Sequence, residues 1–448
     1  MNDNSGNAID LLHDLIGRAR RAGADAADGV LFEGTSLSHG RRLGKTEKLE
    51  RSEGQDLGLR VFIGRQQAIV SSSDRSPRAL GELVERAVAM AKTVPEDPYC
   101  GIAEADEIAS DWPALDVFDE QEPGVEVLIE RARAAEEAAL AVTGVTNSEG
   151  AEAGWGRSEM ALVASNGFAG TYRGSSHGVS ASVIGGAGAG MERDYDYASA
   201  VYAADLRDPA EIGKSAGERA VKRLGARKMP TCRCPVVFDP RVARSFISHL
   251  LGAISGPSIT RGTSFLKDRL GERIFPETIT IVDDPHRRRG LRSKPFDGEG
   301  IANHRRAIVE KGVLTTWLLD LRSARQLGLK TTGHAARGTS SPPGPSATNV
   351  WIEPGAISPQ ALISDIESGF YVTEMMGMGV NGVTGDYSRG AAGFWIDKGE
   401  IAFPVSEMTV AGNLKEIFAR LVVADDLEFK AGMDAPTLRV DDLTVAGA

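Results

Sequence analysis

Histidine, glutamate and cysteine are the side chains from which a hydrolytic zinc site is built, and their spacing in this chain does not build one. Seven histidines are present, none in an H-E-x-x-H frame that would place two imidazoles on nearby helical turns. His249 lies in a helical pattern with no carboxylate or second histidine four or five positions away, so it reads as a partly buried helix residue rather than a ligand. Cys232-Arg233-Cys234 could open a zinc site, but no second Cys/His pair follows at a usual spacing, and the thiols read as structural. Gly174-Ser175-Ser176-His177-Gly178 matches the G-x-S-x-G nucleophile elbow, which needs a strand, a sharp turn and then a helix. Val179 to Ile184 reads as another strand, so a strand-strand turn is expected at the motif instead. The run Gly185-Gly186-Ala187-Gly188-Ala189-Gly190 lacks the lysine of a phosphate-binding loop and reads as a flexible loop. His286-Arg287-Arg288-Arg289 and Arg305-Arg306 are short basic runs that read as solvated residues.

The elements that would position any site follow from periodicity. After a short disordered lead, Ile9 to Ala22 predicts an amphipathic helix with Leu12, Leu15, Ile16 and Ala19 on one face. Alternating strands are predicted from Gly29 to Ser73, with Gly64-Arg65 as a hairpin turn. Ser76-Pro77 then starts a helix that buries Leu80, Leu83, Val84, Ala87, Val88 and Ala91. Residues 95–123 are acidic and carry four prolines, which predicts a linker. Beyond it, a helix from Val125 to Val142 should turn Leu128, Ile129, Ala132, Ala135 and Ala139 inward. Strands at Ala161–Ala164, Gly167–Tyr172 and Gly178–Ile184 and a helix capped by Asp208-Pro209 complete the segment. From Val236 the chain is mostly short strands, with helix starts at Asp239-Pro240, Ser358-Pro359 and Gly412-Asn413. The expected architecture is α+β and multidomain. An N-terminal domain spans 1–94, a linker 95–123, a central domain 124–229 and a β-rich C-terminal domain 230–448, with no strand-helix alternation to support a doubly wound sheet.

Composition narrows the function classes. The 448 residues are 42% hydrophobic and 25% charged, in the globular range, and suffice for several cores. The net charge of −11 opposes direct binding to nucleic acid, a polyanion, or to an anionic membrane surface. Three cysteines are too few for a secreted disulfide framework. Met1 to Asn7 lacks the basic-then-apolar pattern of a signal peptide, and no long apolar run spans a membrane, so a cytoplasmic chain is expected.

Several long motifs occur together in the second half: Thr260-Arg261-Gly262-Thr263-Ser264-Phe265-Leu266, Pro295 to Gly300, Thr373-Glu374-Met375-Met376-Gly377, Thr384 to Trp395 and Pro404 to Leu414. Glu53-Gly54 with Gly58 to Val61, and Ser165-Asn166-Gly167, add to the set in the first half. In these motifs the chain resembles the PmbA/TldE branch of the TldD/TldE metalloprotease family, whose members are also described as modulators of DNA gyrase. In the catalytic TldD branch, the helix before the R-G-T-S segment carries H-E-x-x-x-H, and a downstream cysteine completes the zinc site. Counting back from Arg261, those six positions are Ile247, Ser248, His249, Leu250, Leu251 and Gly252. Ile247 and Gly252 replace the two histidine ligands and Ser248 replaces the glutamate, while Lys430-Ala431-Gly432 offers no cysteine.

The resemblance therefore implies a noncatalytic subunit that binds no zinc or other cofactor itself. It would pair with a TldD-like, zinc-bearing catalytic chain to degrade or process unfolded peptides, and form a homodimer when alone. An extended peptide could add main-chain hydrogen bonds to an exposed strand. Thr260, Arg261, Gly262, Thr263, Ser264, Asp386, Tyr387 and Arg389 are the peptide-contact candidates. The same glycines and the Gly385–Gly393 stretch could equally serve tight turns and packing. A homodimeric peptide-binding or gyrase-modulating scaffold without a protease role is the alternative reading.

Overall fold

The computed structural model describes residues 4–447. Helix α1 (Asn4–Arg21) buries the predicted Leu12, Leu15, Ile16 and Ala19, but it starts before the expected disordered lead ends, so Asn4 to Ala8 are already helical. Met1 to Asp3, the rest of that lead, lie outside the described residues. Helix α2 (Pro77–Ala91) is capped by the Ser76 hydroxyl, which accepts from the Ala79 N–H, and buries the stripe its period demands.

Strands β1 (Ala26–Arg42), β2 (Lys45–Ile63), β3 (Gln66–Ser72), β4 (Val145–Ala164), β5 (Ala169–Gly185) and β6 (Glu192–Ala200) form one antiparallel sheet in the order β3-β2-β1-β4-β5-β6. The N-terminal and central segments thus share a sheet through the β1–β4 pairing, which joins residues more than a hundred positions apart. Their apolar clusters nevertheless stay separate, one under α1 and α2 and another under α3 (Val125–Leu140) and α4 (Pro209–Lys222). Two local expectations fail here. Gly174 to Gly178 lies within β5 rather than in a turn, so the segments Gly167–Tyr172 and Gly178–Ile184 belong largely to one strand. Ile129 is 37% exposed, while Glu136 on the same helix is 1% exposed. The Glu136 carboxylate accepts from the Leu43 and Gly44 N–H groups, Arg41 Nε and the Ser148 hydroxyl, and this fixes α3 against the β1–β2 turn. A charge so fully bonded can be buried on a helix whose Ile129 stays exposed.

Residues 95–123 contain no helix or strand, but they do not act as a free spacer. Ala103, Ala109 and Leu115 are buried, and Trp112 meets Phe296 edge-on at 4.9 Å. The C-terminal half opens with β7 (Cys232–Phe238), α5 (Pro240–Ala253) and α6 (Gly256–Thr260). Strand β7 joins β14 (Ser368–Met376), β15 (Asp386–Asp397), β16 (Glu400–Asn413), β17 (Val422–Val423) and β19 (Leu438–Ala446). Because β16 pairs with both β15 and β19, that sheet closes on itself around the largest apolar cluster. A second sheet contains β8 (Ile281–Asp284), β9 (Arg306–Glu310), β10 (Val313–Leu314), β13 (Asn349–Ile352) and β18 (Met433–Asp434), and the short pair β11 (Ala335–Ala336) and β12 (Gly344–Pro345) lies beside it in sequence. The chain is an α+β multidomain protein with a strand-rich C-terminal region. No helix among the described residues is long and apolar enough to cross a membrane.

A buried charge cluster joins the halves. Asp28 on β1 accepts from Arg60 Nε at 2.9 Å and from Arg337 Nη1 at 2.6 Å, and Glu299 lies 4.0 Å from Arg60. Burial alone would push the Asp28 carboxyl up, but Arg337 and Arg60 outweigh it and hold it below its usual range. Burial and the neighbouring Asp297 push Glu299 up to about 8, against the pull of Arg60. Gly58 on β2 permits this contact: a Cβ there would stand 2.4 Å from the Thr339 carbonyl oxygen. A similar approach occurs between α3 and α4, where a Cβ on Gly213 would stand 1.9 Å from the Ala135 carbonyl oxygen.

Two predictions follow from these contacts. Gly213→Ala should destabilise the protein by about 1–3 kcal/mol through overpacking, because the clash exceeds alanine's ~1 kcal/mol advantage in a helix. Urea unfolding followed by circular dichroism measures this, and an unchanged or raised midpoint would refute it. For Glu299, the folded state keeps its proton between the ordinary glutamate value of 4.5 and about 8, while the unfolded chain has lost it. Stability contributed by this group is therefore full below that window and falls as pH rises through it, by at most about 1.4 kcal/mol per pH unit. Glu299→Gln should flatten the stability profile between those limits, and a profile as steep as the parent's would count against the assignment.

Candidate functional site

Helix α5 separates the site from the core. The Asp239 carboxylate caps it by accepting from the Arg241 N–H at 2.9 Å, and Pro240 occupies its first turn. Ala243, Phe246, Ile247, Leu250 and Ala253 face the core. Arg241, Arg244, Ser245 and Ser248 recur at three- and four-residue spacing on another face. That face lines a cleft of about 470 Å³, whose other walls are Arg193 and Tyr195 from β6, Thr373, Glu374 and Met375 from β14, Arg389 from β15, and Ala431 and Met433. The N-terminal sheet therefore supplies part of a site otherwise built by the C-terminal half.

The positions singled out on α5 diverge. Ile247 is 1% exposed and packed in the core, Ser248 faces the cleft with Oγ 3.2 Å from Met433 Sδ, and Gly252 points to solvent with no atom within 4 Å of a built Cβ. Five residues at 3.6 per turn separate the outer two by about 140°, and in this chain one faces the core and the other solvent. Isoleucine, serine and glycine also provide neither imidazole nor carboxylate, and a zinc ion does not fit this donor set. Among the described residues, no group of three or more His, Cys, Asp or Glu could hold a metal ion.

His249 is a packing residue. Its ring sits edge-on to Tyr387 at 5.8 Å and to Phe246 at 6.4 Å, and burial together with the Arg389 charge pushes its imidazole down to about 4. The Lys430-Ala431-Gly432 stretch does reach the cleft that Ser248 lines, through Ala431. Its three N–H groups donate to the Asp434 carboxylate in a tight turn, and it carries no thiol. Cys234 is buried and its thiol pushed up chiefly by burial, and both Cys232 and Cys234 are free.

The eight peptide-contact candidates fall into three places. Arg389 alone lines the cleft. Arg261, Gly262 and Thr263 are exposed on the loop after α6, with Thr260 half-buried at its start. The Phe265 N–H ties that loop to the Gly382 carbonyl at 2.9 Å. Asp386 is exposed nearby, accepting from the Thr384 hydroxyl and Asn413 Nδ2. Ser264 and Tyr387 are corrected to core positions, each 2% exposed. Ser264 Oγ accepts from the Leu266 N–H, and the Tyr387 hydroxyl lies 3.2 Å from Met375 Sδ. The motifs do not include Arg193, Tyr195, Arg241 or Arg244, and Thr373, which opens one of them, is not among the contact candidates. The spacing of Arg241, Arg244 and Ser248 on a predicted helix, with the motifs that hold Thr373 and Arg389, is the signal that could have found the cleft.

A serine, a histidine and an aspartate also gather on β5, but not as a catalytic triad. Ser175 Oγ accepts from the Asp119 N–H at 2.7 Å and donates to the Val201 carbonyl at 3.0 Å, while His177 Nε2 meets Asp119 Oδ2 at 3.2 Å. The serine is engaged by backbone rather than by the imidazole, so the cluster clamps residues 115–123 to the sheet instead of activating a nucleophile.

Comparison with known proteins places this geometry. Models of the PmbA/TldA metallopeptidase domain 1, central domain and C-terminal domain match residues 27–91, 118–224 and 231–447. The chain is 38% identical to the metalloprotease PmbA of Escherichia coli O157:H7 over 95% of its own length and 93% of the relative's. It is 37% identical to the Haemophilus influenzae metalloprotease PmbA homolog over 96% and 94%. A crystal structure from Bacteroides thetaiotaomicron, described as a candidate modulator of DNA gyrase, superposes with a TM-score of 0.91 at 27% identity, covering 98% of both chains. TldE from Thermococcus kodakarensis shares the fold with a TM-score of 0.88 at 20% identity, covering 98% of this chain and all of that one (100%). With three domain models matched in order and full-length relatives in two bacteria, the chain belongs to the PmbA/TldA metallopeptidase family.

Proposed function

We propose that this chain is the noncatalytic subunit of a TldD/TldE-type zinc metalloprotease, shaping a compartment for unfolded peptides in the cytoplasm while a TldD-like partner holds the metal. The observation that carries this reading is the donor set at Ile247, Ser248 and Gly252. A hydrolytic zinc needs three protein ligands around one open position to activate a water. Here the first position is committed to the core, the last projects into solvent, and none of the three side chains is an imidazole or carboxylate. The cleft beside them retains charge and concavity, which suits holding a peptide rather than cutting one.

The purified chain should carry no stoichiometric zinc by elemental analysis and leave unfolded peptides intact, whereas mixing with a TldD-like chain should give chelator-sensitive cleavage. Robust chelator-sensitive cleavage by this chain alone would overturn the assignment. The combined replacement Ile247→His, Ser248→Glu, Gly252→His should bind zinc weakly at most, because no thiol completes the set. Zinc titration calorimetry tests this, and tight one-to-one binding would overturn it.

A further inference from the structure

Four arginines line the cleft, and two are already neutralised. Arg241 donates to Asp194 at 2.7 Å and to Asp239 at 3.3 Å, and Arg193 pairs with Glu374 at 3.3 Å and Glu149 at 3.6 Å. Glu374, the carboxylate in the cleft wall, is engaged by Arg223 as well. Arg244 and Arg389 have no carboxylate within 4.0 Å among the described residues. Arg244 Nη1 donates to the Tyr197 hydroxyl at 2.6 Å, with the guanidinium 5.8 Å from that ring's centre. Arg389 is braced by the Gly377 carbonyl at 3.0 Å and the Met375 carbonyl at 3.5 Å. Both guanidiniums are thus oriented by neutral acceptors and keep N–H groups for a ligand.

Two hydroxyls belong to the same walls. Ser245 Oγ and Thr373 Oγ1 are buried atoms without a protein hydrogen-bond partner, and Thr373 as a whole is 7% exposed. Both residues line this cleft. Two uncompensated guanidiniums and two unpartnered hydroxyls around one cavity form a donor set for an oxyanion. The walls also carry Val242, Met375 and Met433, apolar surface that an inorganic anion would leave unused but a side chain beside a carboxylate would cover.

We propose that this cleft binds the C-terminal carboxylate of an extended peptide, with Arg244 and Arg389 pairing to it and the Ser245 and Thr373 hydroxyls donating to its oxygens. This rests on the peptide-handling role proposed above. It makes the cleft a terminus-reading site, so the chain would select peptides by their free end rather than by internal sequence.

Fluorescence anisotropy on the full-length chain tests it, using a short unstructured peptide labelled at its N-terminus and ending in leucine, as the free acid and as the C-terminal amide. The free acid should bind about tenfold tighter or more. Arg244→Met and Arg389→Gln should each weaken the free acid toward the amide and leave the amide unchanged. Thr373→Val, close to isosteric, should weaken the free acid about threefold, and it keeps the test decisive if an arginine variant fails to fold. Equal binding of acid and amide would overturn the carboxylate site while leaving peptide handling in place. Binding of neither peptide would overturn both. Displacement by inorganic phosphate as effective as by unlabelled free-acid peptide would reassign the cleft to a small anion and overturn the proposal.

Discussion

The cleft exists because Asp194 binds Arg241. Asp194 is 4% exposed on β6, the last strand of the N-terminal sheet, and Arg241 lies in the first turn of α5 in the C-terminal half. Arg223 of the segment after α4 adds to the junction, 3.7 Å from Asp194 and 3.2 Å from Glu192, and reaches Glu374 on β14. Charges this buried hold their geometry only while each keeps its partner, since an unpaired one is costly in a poorly solvated site. The junction thereby sets how far Arg193 and Tyr195 stand from α5. Together with the Asp28, Arg60, Arg337 and Glu299 cluster at the other end of the sheet, it fixes the sheet against the closed C-terminal strands at two points.

Within that frame, α5 divides its faces between tasks. A helix buried on one side has one stripe for the core and another for the cleft, and a residue cannot serve both. Ile247 and Leu250 go to the core, and Arg241, Arg244, Ser245 and Ser248 go to the cleft. His249 sits at the boundary, where Phe246 and Tyr387 enclose its ring and Arg389 lies near enough to disfavour its charged form. A neutral imidazole packed between aromatic rings contributes area rather than metal affinity. The family fold is kept while this helix turns no imidazole or carboxylate into the cleft.

Much of the fold was legible along the chain because local signals and tertiary packing agree. The Ser76-Pro77, Asp208-Pro209 and Asp239-Pro240 starts are all observed helix caps, and the apolar stripe of α2 is the buried one. The misreadings share one cause. Ile129, expected inside, stays exposed, and Glu136 is buried because the β1–β2 turn, distant in sequence, brings backbone N–H groups to it. Gly174 to Gly178 looks like a turn by composition, but β4 and β6 pair on both sides of it and hold it straight. Ser264 and Tyr387 stand in motifs read as peptide contacts, yet each is buried with a partner inside.

The sequence alone determined the family motifs, the absence of histidine, glutamate and cysteine at the expected metal positions, the acidic balance and most helix boundaries. These depend on residue identity or on periods shorter than one element. Only the tertiary structure decided that Ile247 and Gly252 face opposite environments, that the first two segments share one sheet, and that Arg193, Arg244, Thr373 and Arg389 surround one cleft. Those facts rest on contacts between residues up to two hundred positions apart, which no local pattern encodes. Burial then determines which polar groups spend their hydrogen bonds on the fold and which keep them for a ligand.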